Sequence, residues 1–159
     1  MRNLMLFFGL AVTACSRKET SKAAVVVHRA PMRGGSLGER LVQESKAHPE
    51  AALKADAVYS ALEKNGFGLK ERKQYLASPV GAAYCLAADS DADLAFTVCE
   101  YESDAAAEKG RIAALQASRA AAAHEIFVHH ATTLTLWERP KGERSAKSSA
   151  LAQSTFSRL

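Results

Sequence analysis

Two cysteines, Cys85 and Cys99, stand at equal distance on either side of Ala92, and that symmetry constrains the middle of the chain more than any other feature. Ala82 to Ala88 and Leu94 to Tyr101 read as strands, with the turn-rich acidic stretch Asp89-Ser90-Asp91-Ala92-Asp93 between them. In the second strand Leu94, Phe96 and Val98 share one face by alternation. A symmetric hairpin sets Cys85 opposite Cys99 on neighbouring strands. A link there closes a loop of about 15 residues and contributes on the order of 3 kcal/mol in the chain-entropy account. Two separate buried thiols are the alternative. The expected role is structural, because no Cys-x-x-Cys is present to suggest exchange chemistry.

The amino terminus decides where such a hairpin would live. Arg2 precedes an unbroken apolar run from Leu4 to Val12, closed by Thr13, Ala14 and Cys15. This is the pattern of a secretory signal, too short to span a bilayer as a permanent helix. Val12-Thr13-Ala14-Cys15 resembles the lipobox of bacterial lipoproteins, with an ordinary signal peptide and a chance cysteine as the alternative. The resemblance implies that residues 1–14 are removed and that Cys15 carries acyl chains of the palmitate type. Three chains at about 0.8 kcal/mol per buried CH₂ pass the threshold for stable anchoring. Ser16, where an aspartate would signal retention in the inner membrane, implies an outer-membrane anchor with the chain facing the periplasm. With Cys15 in lipid, Cys85 and Cys99 are left alone in an oxidising compartment, which favours their pairing. The stretch Val98–Ser103 (VCEYES) is similar to small lipoproteins of Gram-negative bacteria, a likeness that brings no activity with it.

Beyond Cys15 the chain is long enough for one domain with a real core, and not for two. Its apolar content of 48% with 24% charged residues is ordinary for a globular protein. The net charge of +4 is too mild to predict nucleic-acid binding. Charge is unevenly placed: Ala88 to Glu108 holds acids and no base, whereas Arg139 to Leu159 is mainly basic. That split reads as solvated faces that compensate each other, or as a dipolar surface for a partner.

Residues 15–35 read as a lipidated tether, with a short strand at Val25–Val27 ended by Pro31 and Gly34-Gly35. A single α+β domain is expected over residues 36–159. Ser36-Leu37-Gly38-Glu39 is a capping box that opens a helix from Leu37 to about Ala47. Pro49 suits the first position of the next helix, whose apolar face is Leu53, Ala57, Val58, Ala61 and Leu62. Asn65-Gly66-Phe67 ends it, with Gly66 left-handed and Phe67 folded back onto Leu62. Leu69 to Ala77 fits an exposed strand or a short helix, and Pro79 and Gly81 break it. Ser103 caps a helix from Asp104 to about Ser118, with Ile112 and Leu115 on its buried side. Glu125 to Trp137 holds two short strands with a bend near His130-Ala131. A turn at Pro140 and Gly142 leads to a last helix, Ser145 to Leu159, anchored by Leu151, Phe156 and Leu159. The expected architecture is a small antiparallel sheet with helices packed on one face. An αββ unit used twice would give this order, although residue identity between the halves does not establish a repeat.

Four patterns carry candidate chemistry. Asp89, Asp91, Asp93 and Glu100 match positions 1, 3, 5 and 12 of a calcium loop, but Leu94 stands where the sharp turn needs glycine. A solvated acidic turn accounts for them, with calcium binding as the alternative. Gly34-Gly35-Ser36-Leu37-Gly38 matches a nucleophile elbow, yet Pro31 interrupts the strand that must precede it. Ser36 as the nucleophile of a small envelope hydrolase is therefore the lower alternative. His124-Glu125 with His129-His130 lacks the i, i+4 histidine spacing of a zinc helix, since Val128 occupies that place. In a strand, His129 and His130 would point to opposite faces. Cys85 and Cys99 complete the set as a disulfide. No complete catalytic constellation, metal site, cofactor or small-molecule substrate emerges. The expectation is a lipid-anchored, non-enzymatic module that binds another envelope protein or supports an assembly, with the membrane as a second partner.

Overall fold

The computed structural model describes residues 35–91, 94–117, 124–138 and 146–159, all within one unit, Pro31–Leu159. The leader, Cys15, the tether with its expected strand at Val25–Val27, Asp93 and the expected turn at Pro140–Gly142 lie outside the described residues. Among the described residues no helix is long and apolar enough to cross a membrane.

The chain runs α1 (Leu37–Glu44), α2 (Ala55–Lys64), β1 (Leu69–Tyr75), a 3₁₀ turn (Ser78–Val80), β2 (Tyr84–Ser90), β3 (Leu94–Glu100), α3 (Asp104–Ala117), β4 (His124–His129), β5 (Thr132–Glu138) and α4 (Ala146–Phe156). The five strands form one antiparallel sheet in the order β1-β2-β3-β5-β4. This is an α+β fold, as the sequence implies. No duplicated αββ unit is established.

Alternation sorts the strands into two faces. Leu86, Ala88, Leu94, Phe96, Val98, Leu134 and Leu136 point to one side and form the main core with α2 and α4. Cys85 and Cys99 point to the other, where Tyr101 and Ala107 cover them. The helices therefore divide between the faces, α2 and α4 on one and α3 on the other, which corrects the expected one-sided arrangement. The cause lies in α3. Its buried positions are Ala107 and Gly110, whereas Ile112 and Leu115, expected to be buried, are 44% and 36% exposed. A Cβ at Gly110 would overlap the Tyr101 phenol, so the small side of the helix lets that ring lie between helix and sheet. Burial pushes the Tyr101 phenol up in pKa, partly offset by its hydrogen bond with Thr133.

Helix α2 buries Ala55, Val58, Tyr59 and Leu62, an i, i+3, i+4, i+7 stripe. Tyr59 takes the place expected for Ala57, which is exposed, because the phenol can donate to the Leu86 carbonyl at 2.6 Å inside the core. Burial drives its pKa strongly upward. The helix begins at Ala55 and not at Pro49. The intervening residues are held in an irregular turn, Leu53 N–H donating to the His130 carbonyl and Thr132 Oγ1 to the Leu53 carbonyl. Its end matches expectation. Gly66 has φ +92°, Phe67 N–H donates to the Leu62 carbonyl and Gly66 N–H to the Glu63 carbonyl, the paired bonds of a Schellman cap.

The ambiguous Leu69–Ala77 stretch is an edge strand. A bulge between Lys70 and Lys73, with Glu71 at φ +49°, resets its alternation. Leu69 and Gln74 thus both face the main core, and Arg72 can lie over the Tyr59 ring at 5.4 Å. The β4–β5 connection turns through His130 and Ala131, both at positive φ, the hand that suits a two-residue hairpin. Helix α4 is anchored by Phe156 and Ala152; Leu151 and Leu159, expected as anchors, are exposed.

Helix α1 docks through polar contacts made by Arg40, Leu41 and Glu44. Its capping box is complete. Arg40 Nη2 donates to Ser78 Oγ at 2.8 Å, and the Glu44 carboxylate accepts from Ala77 and Ser78 N–H at 2.8 and 3.1 Å. None of its residues is buried.

Candidate functional site

The second sheet face is covered unevenly. Helix α3 packs on β4, β5 and the 3₁₀ turn, and among the described residues much of the β1–β3 half beyond the cysteine pair is left open. Period-2 alternation places Ala87 on β2, and Ala95 and Thr97 on β3, as a floor of small side chains beside the cysteine pair. Tyr75, Leu76 and Val80 wall one end and Trp137, the chain's one tryptophan, the other. The result is a groove of about 390 Å³, at the small end of the range for ligand sites. Its rim carries both signs of charge: Lys73 Nζ meets the Glu71 carboxylate at 2.9 Å, and Asp89 lines it too. A smaller cavity of about 100 Å³ continues under α3 between Tyr101, Gly110 and Ile126, sharing Trp137 and Thr97. Trp137 is braced by His124, stacked on it at 4.6 Å and 19°.

Cys85 and Cys99 sit opposite each other in the β2–β3 register, as the symmetry about Ala92 implies. Their sulfurs are 2.05 Å apart, at disulfide bonding distance, and they form part of the groove lining. The arrangement presents small and aromatic surfaces with a polar rim. It can hold side chains or a small amphipathic molecule.

A second cluster was not foreseen from the sequence. Glu100, at the end of β3, is fully buried. Its Oε1 accepts from Ala55 N–H at 2.8 Å and its Oε2 from the ring of His48, Nδ1 at 2.9 Å. Lys54 Nζ lies 3.9 Å from it and also donates to the Pro49 carbonyl. The His48 ring leans on Tyr84 at 4.3 Å. Lys54, at the N-cap of α2, makes no side-chain cap, and Glu100 caps that terminus from a distant strand, with the helix dipole favouring its charge. A signal was present in the sequence: Glu100 continues the core-facing series Leu94, Phe96, Val98, and an acid in that phase must find partners.

Of the residues proposed for calcium, those described (Asp89, Asp91 and Glu100) do not form one site. Asp91 Oδ1 accepts from Gly68 N–H at 3.0 Å. Asp89 on β2 faces the groove, whereas Glu100 on β3 lies on the opposite face, five residues from the partner of Asp89 and thus about 17 Å farther along. Ser36 has φ −64° and ψ 160° and accepts from Glu39 N–H at 3.3 Å; it is a helix cap, without the strained turn of a nucleophile elbow. His129 and His130 do not diverge: their rings are 4.1 Å apart, because the positive φ of His130 swings its side chain back. Desolvation lowers the His129 pKa, the neighbouring His130 lowers it further, and Asp104 opposes both. Among the described residues no three His, Cys, Asp or Glu side chains are grouped to hold a metal ion.

Comparison with family models, curated proteins and solved structures finds no match for this chain.

Proposed function

We propose that this is a lipoprotein anchored through acylated Cys15 in the outer membrane, facing the periplasm, and that it acts as a non-enzymatic binding module. The groove is its working surface, and the occupant is a short extended segment of another envelope protein. One observation carries this reading: among the described residues, half of one sheet face is left uncovered beside α3, with a small-residue floor between aromatic walls. A volume of about 390 Å³ suits two or three side chains of such a segment, and the mixed charge at Glu71, Lys73 and Asp89 suits its polar backbone. The acidic turn supplies no argument for calcium, since Glu100 is engaged elsewhere.

Two measurements test it. Intact mass of the protein taken from membranes, with and without reductant, reads the anchor and the disulfide; an unacylated Cys15 sinks the anchor. For the groove, a photo-crosslinking side chain placed at Tyr75 should yield one adduct in the envelope, and fragmentation should place it in a single segment of one protein. The same group at Ala113, on the outer side of α3, should not. Equal adducts at both positions, or none at Tyr75, would remove the groove from the proposal.

A further inference from the structure

The two edges of the sheet are built differently. On β1 the outer edge is guarded: a bulge between Lys70 and Lys73 breaks its regular pairing, Glu71 stands at φ +49°, and Lys70, Glu71, Arg72 and Lys73 are all exposed. These are devices by which an edge strand avoids pairing with another chain. Strand β4, the opposite edge, has none of them. His124–His129 (HEIFVH) keeps an unbroken register with β5 and holds no lysine, arginine or proline. All its residues are half-buried. The two-residue turn makes His129 and Thr132 a hydrogen-bonded pair. By alternation Phe127 also bonds to β5, so the N–H and C=O of Ile126 and Val128 point away from the sheet. Among the described residues no backbone bond from outside β4 reaches them.

We propose that the β4 edge pairs with the β4 edge of a second copy of the chain, antiparallel about a twofold axis, to give one sheet continuous through both copies. The sequence of the strand selects a second copy, because reversed it is its own complement. With Phe127 opposite Phe127 of the second copy, Ile126 faces Val128 and Glu125 faces His129, and each of these two pairs occurs twice. Acid meets imidazole, branched side chain meets branched side chain, and ring meets ring. The backbone asks for the same register. It makes Ile126 and Val128 of the two copies hydrogen-bonded pairs, and theirs are the polar groups that point outward. A shift of one residue sets those groups against ones already bonded to β5. The next register the backbone allows, Ile126 on Ile126, sets Glu125 against Phe127 and loses the charge match. The charged pair also shares a side of the sheet. Glu125 accepts from the Ser149 hydroxyl, and His129 meets the Phe156 ring, both on the main-core side.

The test uses the full chain in mild detergent. Sedimentation should show a dimer that dissociates on dilution. Glu125→Cys and His129→Cys, made in separate chains and mixed under mild oxidation, should give a 125–129 disulfide between copies, read by peptide mass without reductant. Neither variant alone should cross-link, since position 125 then lies about 13 Å along the sheet from its own counterpart, beyond disulfide reach. Val128→Pro removes an N–H that a single copy leaves unused, and an edge strand tolerates proline. It should weaken self-association at least tenfold while the chain still melts cooperatively. If the proline variant loses its cooperative melt, the cross-link alone decides. Chains that stay monomeric at every concentration overturn the proposal and leave the edge to a strand of another protein. A dimer without the 125–129 link, or one that a folded Val128→Pro leaves intact, uses a different surface and overturns it as well.

Discussion

A single buried carboxylate joins the start of α2 to the end of β3. Glu100 holds Ala55 N–H and His48, so Glu100→Ala leaves a buried N–H without an acceptor and should cost about 2–3 kcal/mol. Glu100→Gln keeps an acceptor and should cost about 1 kcal/mol; urea unfolding of both variants checks the ratio, and equal losses would show that charge and not capping is what matters. His129 gives a pH dependence. Its folded pKa lies below the ordinary value near 6.5, so between the two values the unfolded chain binds more protons and stability falls as pH drops. The melting temperature should therefore decline from pH 7.5 to pH 5, and His129→Asn should show a shallower decline. A variant whose profile superimposes on the wild type would exclude this assignment. These residue-level features were the least legible from sequence. Glu100 and His48 are far apart in the chain, and only the phase of Glu100 within β3 hinted that it faces inward.

At the level of elements, legibility followed the strength of the local signal. The β2–β3 hairpin was readable to its register because its turn and cysteines are symmetric about Ala92. The α1 capping box and the Gly66 cap are chemistry local to a few residues, and both appear as expected. The large residues of α3 predict that Ile112 and Leu115 are buried, and the structure turns the opposite side inward. A helix that must approach a sheet around Tyr101 turns its alanines and glycine inward and leaves Ile112 and Leu115 outside. This predicts an unusual response at Gly110. Glycine to alanine in a helix interior ordinarily stabilises by about 1 kcal/mol. Here the added methyl meets the Tyr101 ring, and Gly110→Ala should destabilise by roughly 1–3 kcal/mol. Thermal unfolding of the single variant decides it, and a raised melting temperature would mean that the ring moves aside freely.

Across the whole molecule, the cysteine pair ties the centre of the sheet under the groove. Replacing both by serine should remove about 3 kcal/mol, read as a lower urea midpoint without reductant; an unchanged midpoint would mean that the pair adds nothing the sheet lacks. The α+β class was legible because helical and strand periods alternate along the chain. The division of helices between two faces was not, since it depends on a small-residue seam that carries no hydrophobic period. The strand order β1-β2-β3-β5-β4 has a consequence for how the chain matures. As residues emerge in order, the β2–β3 hairpin can close at once, but β3 keeps an open edge until β5 arrives, after α3 and β4 have been made. The turn before α2 waits as well, because Leu53 bonds to His130 and Thr132. Until Thr132 to Glu138 are available, an incomplete sheet with one vacant berth is exposed to whatever strand comes first. A chain cut short before β5 should therefore aggregate through β3, while one lacking only α4 keeps its sheet closed at that seam.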